Sequence, residues 1–209
     1  MSQLTVGQKV PSFRLPAAQG GELGPGDYEG RRNLILFFAK GMACGFCRQK
    51  MSQLARGAAR FQALDTDVVM VAPTTLERGR FYARNFALPF PYLCDPDYRV
   101  FQGYGMAVRE HSLLWKTRLF TNAMRMPHPE VTELGAAKPG LGEMSRLLND
   151  DDLGFFIADK RGTLRYASTA PNFEFEGAKP VGLAPIPSTE DIVAVLERCQ
   201  GTTEQRQPA

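Results

Sequence analysis

The stretch GMACGFCRQKMSQL places Cys44 and Cys47 three positions apart. Two thiols so spaced can cycle between dithiol and disulfide, supply half of a metal site, or fill space as small buried residues. Their setting separates these uses. The continuous apolar run NLILFFA (33–39) precedes them at strand length, and Met51, Leu54, Ala55, Ala58 and Phe61 follow at helical spacing, which predicts a helix from Cys44 to Leu64. The first turn of a helix presents unpaired N–H groups and the positive end of the helix dipole, and both favour a thiolate at Cys44 over its thiol. Lys40 and Arg48, expected at the surface, add a screened positive field. Cys47 falls on nearly the same side of the helix, within reach of a mixed disulfide or sulfenic acid formed on its neighbour. A reversible bond between Cys44 and Cys47 is the chemistry this pattern favours.

The other uses are weaker. A structural zinc site takes about four ligands, yet the chain has no second C-x-x-C, and His111 and His128 are expected as surface or packing residues. Cys94 ends an apolar strand and Cys199 belongs to the apolar stripe of the last helix, so both are expected to pack rather than react. No metal or organic cofactor is required, because the sulfur pair itself stores two electrons.

The elements that must hold the pair follow from periodicity. DVVMVAP (67–73) reads as a second buried strand. Thr74 with Glu77 three residues on forms a capping-box pattern, predicting a helix to Phe86. PYLCDPD gives a short strand, and Asp95 then acts as N-cap with Pro96 at the first position of a short helix through Phe101. LGFFIADKRGTLRYAS (153–168) reads as two strands joined around Lys160 to Gly162, and Ile192, Val195, Leu196 and Cys199 form the stripe of a closing helix. Right-handed crossovers make the first part a parallel βαβ unit with helices on its faces. An insertion spans about 105–152; in it Leu113, Phe120 and Met124 could share a helical face, and Trp115 is expected to cover an apolar face. APNFEFEGAKPVGLAPIP (170–187) is read as a surface loop, and 201–209 as a disordered tail.

At 209 residues, with 44% hydrophobic and 22% charged content, the chain is expected to form a single domain over 1–200 that buries its core without disulfide staples. A formal charge of +3, from scattered basic and acidic residues, argues against a nucleic-acid partner. No apolar run approaches the roughly 20 residues that cross a bilayer, no signal peptide is read, and a reducing cytoplasm is the expected location.

The order of these segments resembles the thioredoxin-like superfamily, and within it the peroxiredoxin-like branch of the alkyl hydroperoxide reductase and thiol-specific antioxidant family. VGQKVPSFRLPAAQGGE is similar to that family's lead-in, NLILFFAKGMACGFCRQKMSQL to its active-site strand and helix, PYLCDPDYRVFQGYG to its Asp-Pro-Asp segment, and FFIADKRGTLRYAS to the hairpin beyond. The resemblance implies an α/β thioredoxin fold: a central mixed sheet flanked by helices, with the insertion before the C-terminal hairpin. It also implies an antioxidant or redox-regulatory oxidoreductase. Departures accompany it. Against the family's Pro-x-x-x-Thr-x-x-Cys motif, Lys40 stands at the Pro, Cys44 at the Thr and Cys47 at the peroxidatic Cys. Leu153 stands where a later Arg is usual, and no proline occupies the place of the thioredoxin cis-Pro.

Two assignments of the nucleophile stay open. In an exchange cycle Cys44 attacks a substrate disulfide and Cys47 resolves it; in a peroxidase cycle Cys47 attacks the peroxide and Cys44 condenses with the sulfenic acid. Exposure at the helix start favours Cys44. The expected partners are a peroxide or protein disulfide and an external thiol reductant, and a homodimer is compatible with the insertion. A non-catalytic module using the insertion as a partner surface is the alternative.

Overall fold

The central strand of the molecule, β3 (Asn33–Phe38), is buried along its whole length, because both of its faces are covered. A computed structural model describes residues 4–109, 111–123, 134, 152–171, 173–176, 179–184 and 186–204. Before β3, the lead-in forms a small antiparallel pair, β1 (Leu15–Pro16) with β2 (Glu22–Leu23). On one side β3 runs parallel to β4 (Thr66–Ala72), with Leu36 opposite Val69, and β4 runs parallel to β5 (Tyr92–Cys94). On the other side β3 is antiparallel to β6 (Asp152–Ala158), with Leu36 opposite Phe156, and β6 turns back into β7 (Leu164–Pro171). The sheet order is therefore β5-β4-β3-β6-β7, the central mixed sheet expected from the sequence.

Alternation along β3 divides the core in two. Ile35, Phe37 and Ala39 enter one cluster with Met51, Leu54 and Phe61 of α1 (Gly45–Ala63), Tyr82 of α2 (Leu76–Asn85) and Leu196 of α5 (Thr189–Glu204). Leu34, Leu36 and Phe38 enter the other, with Phe101 of α3 (Arg99–Gly103), Tyr104, Phe156 and the lead-in residues Val10 and Phe13. Phe38 meets Phe101 edge-on at 5.3 Å between ring centroids and Phe156 at 5.7 Å, geometries that aromatic quadrupoles favour. In α1, a β-carbon at Gly57 would stand 2.6 Å from the Phe61 ring and 3.2 Å from Thr189 of α5, so any larger residue here would force that buried ring to shift.

Several expectations shift in detail. The cap of α2 is Thr75, whose hydroxyl accepts the Arg78 N–H; Thr74 is buried and its hydroxyl is engaged 2.8 Å from that of Tyr92. The N-cap of α3 is Tyr98 and its first helical residue Arg99, not Asp95 and Pro96 as expected, because Pro96 begins a turn; Asp95 still accepts the N–H groups of Arg99, Val100 and Phe101 from upstream. Within the insertion lies α4 (Leu113–Ala123). It buries Leu119 and packs Trp115 on the core, while Leu113 and Phe120 are exposed; Met124 and His128 lie outside the described residues. His111 stacks on Trp115 at 3.7 Å. The segment expected as a surface loop instead contains an antiparallel hairpin, β8 (Phe173–Glu176) with β9 (Lys179–Leu183), and β9 lies against α4. Alternating residues such as Phe173, Glu174, Phe175 and Glu176 suit that pairing.

Candidate functional site

Strand β3 ends at the site. Ala39 and Lys40 follow it, Gly41 turns the chain at φ +112°, and Cys44 opens α1 as its N-cap in extended conformation. A β-carbon on Gly41 would lie 2.6 Å from the Tyr92 hydroxyl and 3.1 Å from that of Thr74, so both the backbone angle and the space require glycine here. The Tyr92 hydroxyl accepts the Met42 N–H at 3.4 Å, and Arg48 Nη1 donates to the Met42 carbonyl at 2.7 Å. The turn is thus held from the start of β5 and from the helix it precedes. The hydroxyl of Tyr92, pushed well up by burial, stays a neutral hydrogen-bonding group.

The structure brings Cys44 and Cys47 together. The Cys47 N–H donates to Cys44 Sγ at 3.3 Å, so the sulfur itself fills the place a serine or aspartate oxygen takes in other helix caps. Cys44 keeps 8% of its surface exposed and Cys47 none. Their acidities diverge accordingly. A hydrogen bond from the Cys47 thiol holds Cys44 down to about 6, against the opposing effect of burial; Lys40, the Cys47 N–H and Lys50 act in the same direction as that bond. Burial pushes the Cys47 thiol well up, and the neighbouring Cys44 adds to this. One thiol is ready to ionise while its partner holds its proton and stabilises the result.

Two lysines stand inside this site rather than outside it. Lys40, expected at the surface, is only 8% exposed, because it follows closely on a fully buried strand. Lys50, which the sequence reading did not single out, is 5% exposed, and its Nζ donates to the Ala184 carbonyl just after β9. Its signal was present in the spacing: Cys44, Cys47 and Lys50 recur every three residues along one side of α1. Arg48, also expected at the surface, is half-buried on Met42.

The remaining candidates do not join the pair. Cys94 is buried at the end of β5, its thiol pushed up to about 11 by burial. Cys199 is buried in α5, where its S–H donates to the Val195 carbonyl. Leu153 is buried in β6 and belongs to the same apolar cluster as both site cysteines, so an aliphatic side chain stands at the position aligned with the family's later arginine. The described residues contain no cis peptide bond, no group of three metal-ligating side chains and no helix long and apolar enough to cross a membrane.

A cysteine pair at the start of the helix that follows the central strand of a mixed thioredoxin-type sheet is the arrangement in which thiol oxidoreductases carry their redox couple. Residues 6–128 match the AhpC/TSA family, and the chain belongs to that family. It is 31% identical to Peroxiredoxin Bcp of Escherichia coli K12 over 124 residues, covering 56% of this chain and 74% of that protein. A Mycobacterium tuberculosis protein assigned to the peroxiredoxins is likewise 31% identical over 116 residues, which cover 56% of this chain and 73% of the relative. In fold, the chain is similar to reduced Plasmodium vivax 2-Cys Peroxiredoxin, with a TM-score of 0.60 at 11% identity over 95% of this chain and 98% of that one. The family match ends after α4, so β6 to β9 and α5 lie beyond it.

Proposed function

We propose that the enzyme reduces peroxides, and in a second use protein disulfides, by cycling Cys44 and Cys47 between dithiol and disulfide, with Cys44 as the nucleophile. The observation that carries this reading is the Cys44 sulfur at the N-cap of α1, accepting the Cys47 N–H at 3.3 Å in a setting that lowers its pKa. At neutral pH Cys44 is thereby biased toward its thiolate. That thiolate attacks one oxygen of the peroxide, the O–O bond breaks, and an alcohol or water leaves with a proton, so Cys44 becomes a sulfenic acid. Cys47 then loses its proton and attacks the Cys44 sulfur; a disulfide forms and water leaves. With a protein disulfide as oxidant, Cys44 displaces one substrate thiolate and Cys47 displaces the other. An external dithiol protein or low-molecular-weight thiol returns two electrons, a step suited to a reducing compartment such as the cytoplasm.

The small difference in burial supports this order: both thiols are buried, but Cys44 keeps 8% of its surface exposed and Cys47 none. Stopped-flow oxidation with hydrogen peroxide, an organic hydroperoxide and a protein disulfide tests it. Cys44→Ser should abolish the fast phase, and Cys47→Ser should accumulate a sulfenic acid on Cys44, captured by a dimedone adduct. Full peroxide reactivity in Cys44→Ser, with the adduct on Cys47, would reverse the assignment.

A further inference from the structure

Resolution of the cycle asks for a thiolate at the worse of the two places. Cys47 is completely buried, and burial is the largest influence holding its proton. Once Cys44 is bound in a mixed disulfide or sulfenic acid it is neutral, so its own opposition to a second negative charge is gone. The desolvation of Cys47 remains.

Lys50 stands where that cost can be met. It follows Cys47 by three residues on the same side of α1, is 5% exposed, and is fixed by donation from Nζ to the Ala184 carbonyl. Of the two buried lysines, Lys40 acts more strongly on Cys44 and Lys50 more strongly on Cys47. Burial pulls the Lys50 ammonium below the ordinary lysine range, and Cys47, Cys44 and the exposed Glu174 of β8 oppose it by favouring the charged form. Lys50 thus has one carbonyl anchor and one sulfur on which its charge tells most.

We infer that Lys50 is a positioning residue for the second half of the cycle: anchored on the exit of β9, its buried ammonium stabilises the Cys47 thiolate that closes the disulfide. The inference rests on the Cys44–Cys47 cycle proposed above. Its chemical content is narrow. Cys47 gives its proton to a solvent base, its thiolate attacks the Cys44 sulfur of the mixed disulfide, the Cys44–Cys47 bond forms, and the outgoing group leaves as a thiolate.

An aromatic disulfide such as Ellman's reagent separates the two steps, because each releases one coloured thiolate. In the unmodified protein the reading requires two releases from this pair, the second following the first without further reagent, and mass spectrometry should find the Cys44–Cys47 disulfide. Absence of that second release overturns the cycle itself and the inference with it. Given closure, Lys50→Gln, which keeps an N–H donor for the Ala184 carbonyl but no charge, should leave the first release within about threefold. It should slow the second about tenfold and move the second's pH profile to higher pH by about one unit. Lys50→Arg should restore both rate and profile. An unchanged second step in a folded Lys50→Gln protein, as judged by circular dichroism, overturns the inference. Should Lys50→Gln not fold, Lys50→Arg decides: a second release within threefold of the unmodified rate supports the role of charge, and a tenfold slowing with an unshifted profile overturns it.

Discussion

Cys47 serves Cys44 twice, donating its backbone N–H to the Cys44 sulfur at 3.3 Å and its thiol proton to the same atom. A single neighbour thus supplies both the end of the helix and the largest influence on acidity. The reduced fold favours the ionised form of Cys44, and the consequences can be measured.

Alkylation should reveal the ionisation directly. The rate at which iodoacetamide modifies Cys44, followed by mass spectrometry of the tryptic peptide, should rise with a midpoint of about 6, against about 8.5 for an unperturbed thiol. Cys47 in the same samples should remain unmodified through pH 8, since burial holds its proton. A Cys44 midpoint above 8 would remove the proposed nucleophile.

The reduction potential should bend at the same pH. Below about 6 both thiols are protonated and two protons accompany two electrons; above it only the Cys47 proton does. The midpoint potential, measured against dithiol buffers, should fall by about 59 mV per pH unit below the bend and about 30 mV per unit above it. A constant slope across pH 5 to 8 would mean that no thiol of the pair ionises in that range.

Lys40 and Lys50 should be separable by which sulfur they affect. Lys40→Met should raise the Cys44 alkylation midpoint by about one unit, because a buried positive charge near the thiolate is lost, while Lys50→Met should raise it less. Equal effects of the two substitutions on Cys44 would contradict the stronger action of Lys40 on that sulfur.

Gly41→Ala should be costly despite adding one methyl group. It combines φ +112° with a clash of 2.6 Å against the Tyr92 hydroxyl. Destabilisation of about 1–3 kcal/mol by urea titration is expected, with a raised Cys44 midpoint because the turn carrying the cap is displaced. Tyr92→Phe should soften the second effect by removing the atom that clashes, and failure of that partial rescue would show that the hydroxyl does not hold the turn.

The fold was legible because its elements announce themselves locally. NLILFF has strand length and no polar interruption, α1 carries its apolar residues at helical spacing, and the β6–β7 hairpin has its turn residues in place. The cysteine pair was legible for the same reason. What escaped were partnerships between distant residues: Tyr92 holds the amide of Met42 from 50 positions away, and Lys50 reaches Ala184 across 134. No periodicity encodes such pairings. They also explain the local misreadings. Thr74 has the right type for a helix cap, but its hydroxyl is engaged by Tyr92, so the cap passes to Thr75. Lys40 looks like a surface charge until its neighbour β3 is seen to be covered on both faces.

Because the first turn of α1 is closed by sulfur rather than oxygen, its strength depends on how many electrons the protein holds. As a thiolate, Cys44 is an anion at the positive end of the helix dipole; as half of a disulfide it is a neutral, feeble acceptor. Amide hydrogen exchange at Cys47 should therefore quicken on oxidation while the middle of α1 stays protected, which would make a local loosening of backbone the visible mark of a spent enzyme awaiting its reductant.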